Sequence, residues 1–348
     1  MTVEAASGHL TGLWYVATAS RSLRPGQMLA KEFLGRPIVL GRDRGGRAFA
    51  LEDLCPHRGV RLSEGGFDGE TLVCPFHGWR FGVDGACTRI PSLVDGQSID
   101  LGKIRTKLYR CTEQQGLVWV LLDCDGAPAP KGEPPQIPGI GDRQSQIATE
   151  LVFETDMDNA VFGLLDPAHG PYVHQSRLWR SPDNLRQKEK AYAPSPLGFT
   201  MTRHAPSSNS VIYRFLGGAP TTEISFQLPG LRIEHIEIGA HHICNVTAMT
   251  PIDDRRTQVA NLLYWTNPLL NLARPFMRGY ARKFLSQDRD IIGLQNDAAR
   301  FQPKTMLVPD ADAPQRWYLR LKREWRAAQA EGRAFHNPIE PTTLRWRT

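Results

Sequence analysis

Two short loops that carry cysteine and histidine constrain this 348-residue chain more than any other part of its sequence. The first loop reads CPHRG from Cys55, and the second reads CPFHGW from Cys74. Sixteen residues separate the first imidazole, His57, from Cys74, and the second imidazole is His77. Each loop therefore offers one thiolate and one imidazole, and both groups are good ligands for transition metals.

The order Cys-x-His followed by Cys-x2-His predicts a [2Fe–2S] cluster of the Rieske type, in which Cys55 and Cys74 hold one iron and His57 and His77 hold the other. A structural zinc site is the alternative, because two cysteines and two histidines also bind zinc. Zinc fingers, however, usually place a cysteine pair before a histidine pair, and their spacings differ from these. The proline after each cysteine and the glycines around both loops favour the tight turns that would bring the two loops to one cluster.

The length of the chain predicts more than one domain, because 348 residues are too many for a single electron-transfer module. Hydrophobic content of 41% and charged content of 22% are ordinary for a globular protein. Residues 126–142 are rich in proline and glycine and fit neither a helix interior nor a central strand. We therefore predict a first domain over residues 10–125, a linker over 126–146 and a second domain over 147–348.

Apolar periodicity predicts an α+β fold with an all-β first domain. In the second domain it predicts an antiparallel sheet of about six or seven strands, followed by helices over 269–300 and 314–330. The expected strands of that sheet are residues 147–155, 198–204, 210–216, 222–228, 231–238, 242–249 and 257–265. The basic residues of the last helix, Arg320, Lys322, Arg323 and Arg326, are expected on its solvated side.

Composition also narrows the class of protein. The first residues carry no signal-peptide pattern, and no run approaches about 18 apolar residues, so a cytoplasmic protein without a membrane partner is expected. Two of the six cysteines belong to the loops, and Cys87, Cys111, Cys124 and Cys244 are expected to be ordinary thiols. The net charge of +6 is diffuse, which argues against nucleic-acid binding.

A second set of metal-binding residue types lies at Asp166-x2-His169-x4-His174. Two neutral imidazoles and one carboxylate on one side of a metal leave positions open on Fe(II) for O2 and substrate. A His-x4-His pair on its own is more often structural, but the nearby carboxylate and the first motif favour a metal site. The carboxylate ligand need not be Asp166. Elsewhere, one of His204, His235 and His241 is a candidate to line a substrate cavity.

Over nearly its whole length, the sequence resembles the terminal oxygenases of the Rieske non-haem iron family. The resemblance implies that His169 and His174 bind a mononuclear Fe(II), that Asp166 bridges the two metal centres, and that the second domain has a helix-grip, START-like fold. It also implies a third iron ligand on a C-terminal helix, which we assign to Asp288 in the segment FLSQDRDII. Asp290 is the competitor, because two positions along a helix differ in direction by about 200° and only one carboxylate can face the iron.

The chain departs from the family pattern before the bridging aspartate. Many members carry an asparagine three or four residues before it, where this chain has Gly163 and Phe162, and the nearest asparagine, Asn159, is not assigned as a ligand. The cluster loops differ from those of respiratory Rieske proteins, which carry an additional cysteine in each loop where this chain has Val60 and Phe76. That difference favours the lower-potential cluster of an oxygenase over a quinol-oxidising subunit.

The resemblance implies an enzyme that uses O2 to hydroxylate a small aromatic compound or to remove an O- or N-methyl group from it. Without long insertions, the chain is most similar to the compact, α-only branch that includes vanillate and dicamba O-demethylases. Cis-dihydroxylation of an aromatic ring is the alternative reaction. From other classes, the alternatives are a Rieske electron-transfer protein with a non-catalytic ligand-binding domain and a zinc-dependent nucleic-acid-binding protein.

The same resemblance defines the expected partners. The sequence contains no G-x-G-x-x-G after a strand and no flavin signature, so an external NAD(P)H reductase, a ferredoxin, or both must supply the electrons. A head-to-tail homotrimer is expected, in which the cluster of one chain serves the iron of its neighbour.

Overall fold

The chain divides into two units, Thr11–Pro135 and Gln136–Thr348, and the second also includes residues 8–10. The computed structural model describes residues 8–122, 132–174, 185–206 and 218–348. The division falls inside the predicted linker of residues 126–146, of which residues 126–131 lie outside the described ranges.

The first unit is built from β-strands. Its strands are β1 (Leu13–Ala19), β2 (Met28–Phe33), β3 (Arg36–Arg42), β4 (Ala48–Glu52), β5 (Gly66–Phe67), β6 (Thr71–Val73), β7 (Arg80–Gly82), β8 (Cys87–Arg89), β9 (Leu108–Gln114) and β10 (Leu117–Leu122). One six-stranded sheet has the order β1-β10-β9-β4-β3-β2, and a four-stranded sheet has the order β5-β6-β7-β8. All their pairings are antiparallel.

A tight turn divides the apolar stretch at residues 28–41 into the hairpin β2–β3. Leu34 and Gly35 both have positive φ, 54° and 72°. A turn with two consecutive residues of positive φ has a twist that matches the right-handed twist of the two strands it connects. The turn therefore folds the stretch back on itself, with Phe33 opposite Arg36.

The core of the first unit includes the two motif cysteines. Cys55 and Cys74 belong to one buried cluster with apolar side chains from both sheets, including Phe49, Leu72 and Phe81. The sulfur side of each loop is thus fixed by ordinary hydrophobic packing.

The second unit combines one long sheet with helices. Its elements in chain order are β11 (Ile147–Phe153), α1 (Met157–Leu165), α2 (Gly170–Val173), β12 (Gln187–Ser195), β13 (Gly198–His204), β14 (Pro220–Gln227), β15 (Leu231–Ile238), β16 (His241–Pro251), β17 (Thr257–Trp265), α3 (Arg274–Ala299), α4 (Ala313–Glu331) and β18 (Thr342–Arg347). The sheet is antiparallel and has the order β11-β17-β16-β15-β14-β13-β12-β18. The predicted α+β class is confirmed.

The sheet has eight strands within the described residues, compared with the six or seven expected. The two strands that the sequence did not predict are β12 and β18, which pair with each other at one edge. Both are largely polar, so few apolar residues mark their alternation. The strand expected at 210–216 lies outside the described residues.

Two helices pack against the short helix α1. Helix α3 packs on β11 and α1, and α4 also contacts α1. The apolar residues that recur at helical spacing along α4, among them Trp317, Leu321 and Trp325, are buried. In the described parts of the chain, no helix is both long enough and apolar enough to cross a membrane.

Lys322 was expected on the solvated side of α4, and that expectation was wrong. Its side chain is 5% exposed, and its Nζ donates to Asp158 Oδ2 on α1 at 2.7 Å. The Tyr318 hydroxyl donates to the other oxygen of Asp158 at 2.8 Å. The aspartate attracts Lys322 inward, because a buried ammonium needs a counter-charge.

Candidate metal centres

The two motif loops of the first unit share one backbone design. The Gly59 N–H donates to the Cys55 carbonyl at 2.8 Å, and the Gly78 N–H donates to the Cys74 carbonyl at 3.0 Å. Both glycines have positive φ, 71° and 69°, which a side chain would disfavour. The sequence places a glycine four residues after each cysteine because each loop turns at that point.

The loops separate their two kinds of metal donor. Cys55 and Cys74 are buried, whereas His57 and His77 are exposed, with ring centroids 4.8 Å apart. Trp79 stacks on His57 with centroids 4.5 Å apart and ring planes within 4°, a contact that the sequence analysis did not assign. Burial raises the pKa of the Cys55 thiol to about 11 when no metal is bound. Two thiols inside and two imidazoles outside fit a cluster that has one cysteine-bound iron and one histidine-bound iron.

Three segments of the second unit bring a second set of donors together. His169 lies just after α1, His174 ends the short helix α2, and Asp288 projects from the middle of α3. Helix α1 stops at Asp166, whose successor Pro167 cannot extend the hydrogen-bond ladder. The chain therefore turns immediately before the first histidine.

The donor atoms of this set converge on one point. His169 Nε2 lies 3.2 Å from His174 Nε2, and Asp288 Oδ1 lies 3.0 Å from His174 Nε2 and 3.6 Å from His169 Nε2. Two ligand nitrogens at about 2.0–2.1 Å from one metal are themselves about 2.8–3.4 Å apart. The three side chains therefore fit a single metal ion, with only a small movement of the carboxylate.

Hydrogen bonds on the far side of each ring fix the tautomers. His169 Nδ1 donates to the backbone carbonyl of Asp166 at 2.8 Å, and His174 Nδ1 donates to Gln287 Oε1 at 3.2 Å. Each Nε2 is left with its lone pair directed at the common point. Burial lowers the pKa of His169, although Asp288 and Asp166 oppose that shift, so its neutral form is favoured.

The sequence analysis missed two residues around His174. Phe284 stacks on its ring with centroids 3.6 Å apart, and Gln287 orients it. Both lie in the α3 segment already assigned to the third ligand. Phe284 is one helical turn before Asp288, which was the available signal that it shares the same face.

The two competing carboxylates of α3 have different surroundings. The Asp290 side chain is 65% exposed and pairs with Arg289 at 2.7 Å, whereas Asp288 is 24% exposed and lies beside both histidines. In the described residues, the set that could hold a metal here contains Asp288 and not Asp290. The helical rotation between the two positions therefore favours Asp288.

The carboxylate of Asp166 has a local role within its own loop. Its Oδ1 accepts from the Ala168 N–H at 2.7 Å, and its Oδ2 is 3.8 Å from His169 Nδ1. The side chain is 31% exposed, so one side of the carboxylate is accessible. The predicted bridge between two metal centres needs a second chain and stays a prediction.

The family asparagine has no counterpart beside this site. Asn159 donates to Asp156 Oδ2 at 2.6 Å in the N-terminal cap of α1. A Cβ at Gly163 would lie 2.7 Å from Ile292 Cδ1 on α3, so a side chain there would require the end of the Ile292 side chain to shift.

A cavity of about 1190 Å³ in the second unit leads to the three donors. Its apolar lining includes Phe199, Met201, Ile224, Phe226, Met249, Leu285 and Ile292. Its polar lining includes Lys188, Lys190, His204, Arg232, Glu234, Asn245, Thr247 and Asn261. Three histidines, His204, His235 and His241, were candidates to line a substrate cavity. Of these, His204 is among the described residues that line this one, and His235 and His241 are not.

Two family models match the chain. The Rieske [2Fe-2S] domain matches residues 13–106, and the vanillate O-demethylase oxygenase C-terminal domain matches residues 155–328, which is half of the chain. The chain belongs to the Rieske non-haem iron oxygenase family. The Rieske [2Fe–2S] cluster and mononuclear iron predicted from the sequence are the cofactors of this family, so the predicted family, enzyme class and cofactors are confirmed.

Relatives of this oxygenase include proteins of different length. It is 28% identical over 323 residues to 4beta-methylsterol monooxygenase of Methylococcus capsulatus, an alignment that covers 87% of this chain and 82% of that protein. It is 32% identical over 186 residues to chlorophyllide a oxygenase of Chlamydomonas reinhardtii, covering 51% of this chain but only 27% of that protein.

The fold of the oxygenase matches that of dicamba monooxygenase bound to dicamba. The TM-score is 0.71 at 18% identity, and the match covers 94% of this chain and 99% of that chain. At this identity the match concerns the fold, and it agrees with a β-rich first unit followed by a sheet with C-terminal helices.

Proposed function

We propose that this oxygenase is a monooxygenase that hydroxylates a methyl group or another activated C–H bond of a ring compound. The convergence of His169 Nε2, His174 Nε2 and Asp288 Oδ1 in the lining of the cavity carries the proposal. These three side chains would hold the mononuclear iron. When bound, that iron supplies the capacity to activate O2, because three protein ligands leave coordination positions open.

The residues around the iron position would keep its ligands in one state. The Asp166 carbonyl and Gln287 hold each imidazole in the tautomer with a free Nε2. Phe284 covers one face of His174, which is itself 2% exposed, and so limits access of water to that ligand. The cluster of Cys55, Cys74, His57 and His77 would receive electrons one at a time from an external reductase or ferredoxin.

The first substrate class is the one implied by the sequence, a small aromatic compound with an O- or N-methyl group. Hydroxylation of such a methyl group yields an unstable product that releases formaldehyde. Phe199, Phe226 and Ile224 offer an apolar wall for a planar ring. Asn261 Nδ2 donates to Asn245 Oδ1 at 2.7 Å, which places amide groups in the same cavity to orient a polar substituent.

A larger alicyclic substrate is the second candidate, and the volume of the cavity favours it. A volume of about 1190 Å³ exceeds the roughly 300–1,000 Å³ of most small-molecule pockets. The similarity to a methylsterol monooxygenase over most of both chains supports the same class. Hydroxylation of a carbon-bound methyl group releases no formaldehyde, so the two classes give different products.

A substrate panel with a ligand variant tests the proposal. Methoxy- and N-methyl-aromatics and methylsterols are supplied with a reductase, O2 and NADH, and formaldehyde and hydroxylated products are measured. His169→Ala should keep the visible spectrum of the cluster and lose all product formation. Full turnover in His169→Ala would contradict the assignment of His169 as an iron ligand, and cis-diol products would make the protein a ring dioxygenase.

A further inference from the structure

A second group of metal-binding side chains lies in the same unit, away from the candidate iron site. His235 and Glu237 project from β15, and His242 projects from β16. Each offers one ligand atom, and all three atoms lie within 4.8 Å of one another. Of the described residues, only these three and the His169, His174 and Asp288 set form such a group.

The pairing of the two strands places this second group on one face of the sheet. Glu237 is directly opposite His242, and His235 is two residues before Glu237. Asn245 and Glu234, which pair with each other, line the cavity on the other face. Because side chains alternate along a strand, the second group points away from the substrate cavity.

The two imidazoles are as close as those of the candidate iron site. His235 Nε2 lies 3.0 Å from His242 Nδ1, compared with 3.2 Å between His169 and His174. In the metal-free chain, one of these nitrogens carries the proton and donates a hydrogen bond to the other. A metal ion bound to both nitrogens at about 2.0–2.1 Å would keep them about 2.8–3.4 Å apart, so the ion can replace the shared proton with little movement.

Gly139 packs closely against both imidazoles. A Cβ at that position would lie 2.6 Å from His242 Nδ1 and 3.0 Å from His235 Nε2. A side chain at this position would therefore press against both imidazoles, so a glycine here allows the two rings to keep their close approach. His235 is buried, while His242 and Glu237 are partly exposed, so an ion can reach the group from solvent.

The carboxylate of Glu237 is oriented by an arginine. Arg203 binds it with both terminal nitrogens, one of them 3.0 Å from Oε1. The same oxygen lies 4.0 Å from His235 Nε2. An ionised carboxylate has lone pairs beyond those used by one guanidinium, so Glu237 can keep its arginine and still become the third ligand.

We propose that His235, His242 and Glu237 form a binding site for a divalent transition metal such as Zn²⁺, separate from both iron centres. Imidazole and carboxylate ligands suit this class of ion. The bound ion would tie β15 to β16 next to the turn at Gly239, and would thereby hold the hairpin whose opposite face carries Glu234 and Asn245. The site does not depend on which substrate the enzyme oxidises.

Zinc titration of the iron-loaded, full-length protein tests the site. Zinc and iron are measured on the same gel-filtered samples, so that any zinc that displaces iron is subtracted. The wild type should bind one additional zinc per chain. His242→Gln and His235→Ala should each lose that zinc or weaken its binding at least tenfold, and Glu237→Gln should weaken it less.

The control is His241→Gln, because His241 is next to His242 on the strand and points to the opposite face. It should bind zinc like the wild type. Each variant must keep the cluster absorbance and the elution volume of the wild type, and His242→Gln alone decides the result if the buried His235 variant misfolds. Absence of an additional zinc in the wild type, or its retention in correctly folded His242→Gln, would overturn the proposal.

Discussion

At the scale of single residues, the candidate iron site depends on which lone pairs face inward. The carbonyl of Asp166 and the side chain of Gln287 each accept a hydrogen bond from an Nδ1, and this leaves two Nε2 atoms facing Asp288. Ligand type alone therefore does not define the site. The orientation of each ring is set by a neighbour that does not touch the metal position.

The first prediction separates the two carboxylates of α3. Asp288→Ala should remove a ligand and abolish turnover with the cluster spectrum unchanged, because Asp288 Oδ1 is 3.0 Å from His174 Nε2. Asp290→Ala should keep activity within about twofold, because a surface pair such as Asp290–Arg289 contributes little. Iron content and product formation are measured for both. Loss of iron in Asp290→Ala together with an active Asp288→Ala would move the ligand assignment.

The second prediction concerns Gln287 as a positioning residue. Gln287→Leu removes the acceptor of His174 Nδ1, and loss of such an outer partner typically lowers metal affinity about 10–100-fold. The iron dissociation rate against a chelator should rise, while Gln287→Glu, which keeps an acceptor, should restore much of the retention. Equal iron loss from wild type and Gln287→Leu would rule out this role.

Sequence analysis could identify the donor residues but not their partners. His169 and His174 are recognisable because they lie five residues apart in a motif. Gln287 is 113 residues from His174, and no periodicity marks a glutamine that faces an imidazole. The sequence could not decide between Asp288 and Asp290 for the same reason. The rotation of α3 about its own axis determines which carboxylate faces the loop of His169 and His174.

At the scale of secondary structure elements, a buried ion pair joins α1 to α4. Lys322 Nζ is 2.7 Å from Asp158 Oδ2, and both side chains are largely removed from water. Burial lowers the pKa of Lys322, and Asp158 opposes that shift. Because α1 leads directly into the loop of His169, this pair contributes to holding the loop in place.

The third prediction tests that ion pair. Lys322→Met leaves the Asp158 carboxylate buried without its counter-charge, which should lower the free energy of unfolding of the second unit by about 3–5 kcal/mol. The double variant Asp158→Asn with Lys322→Met removes both charges and should recover most of the loss. Urea unfolding monitored by tryptophan fluorescence measures both.

A neighbouring basic residue gives the matched control for that measurement. Arg323→Met changes an exposed position on the same helix and should alter the unfolding free energy by less than about 0.5 kcal/mol. A similar loss in Arg323→Met and Lys322→Met would mean that the helix, and not the buried pair, is sensitive to substitution.

The elements that the sequence predicted well are those with strong periodicity. Strands β13 to β17 and helices α3 and α4 were predicted correctly, because apolar side chains repeat along them. Strand β12 (QKEKAYAPS) and strand β18 (TTLRWR) are mostly polar, and their pairing partners lie about 150 residues apart. Local sequence contains no signal for a pairing of that range.

At the scale of the whole molecule, the resemblance implies a head-to-tail trimer in which electrons cross between chains. The exposed imidazoles of His57 and His77 and the accessible side of the Asp166 carboxylate are compatible with such a crossing. One carboxylate can accept a hydrogen bond from a cluster histidine and another from an iron-ligating histidine.

The fourth prediction tests this route with mixed assemblies. Trimers that combine His77→Ala chains with His169→Ala chains should regain turnover, because each chain supplies the centre that the other lacks. Homotrimers of either variant should be inactive and serve as controls. An inactive assembly that is shown to be mixed would exclude electron transfer between chains.

Asp166→Asn extends the same test to the bridging residue. It should keep both metals and a reducible cluster, yet lose single-turnover oxidation of the cluster in the presence of substrate and O2. Loss of metal or of folded protein would instead indicate that the carboxylate acts within its own loop, where it accepts from Ala168.

The strand order of the eight-stranded sheet also has a consequence for the time course of folding. From β12 to β17 each strand pairs with its successor, whereas β11 joins the sheet through pairs such as Ile147 with Leu263. Pairings between distant residues form late, because a long loop must be closed first. His169 and His174 follow β11 and Asp288 follows β17, so the three donors become neighbours only after this closure. We expect iron to enter a pocket that is already folded, and refolding followed by pulsed hydrogen exchange should protect β14 to β16 before β11.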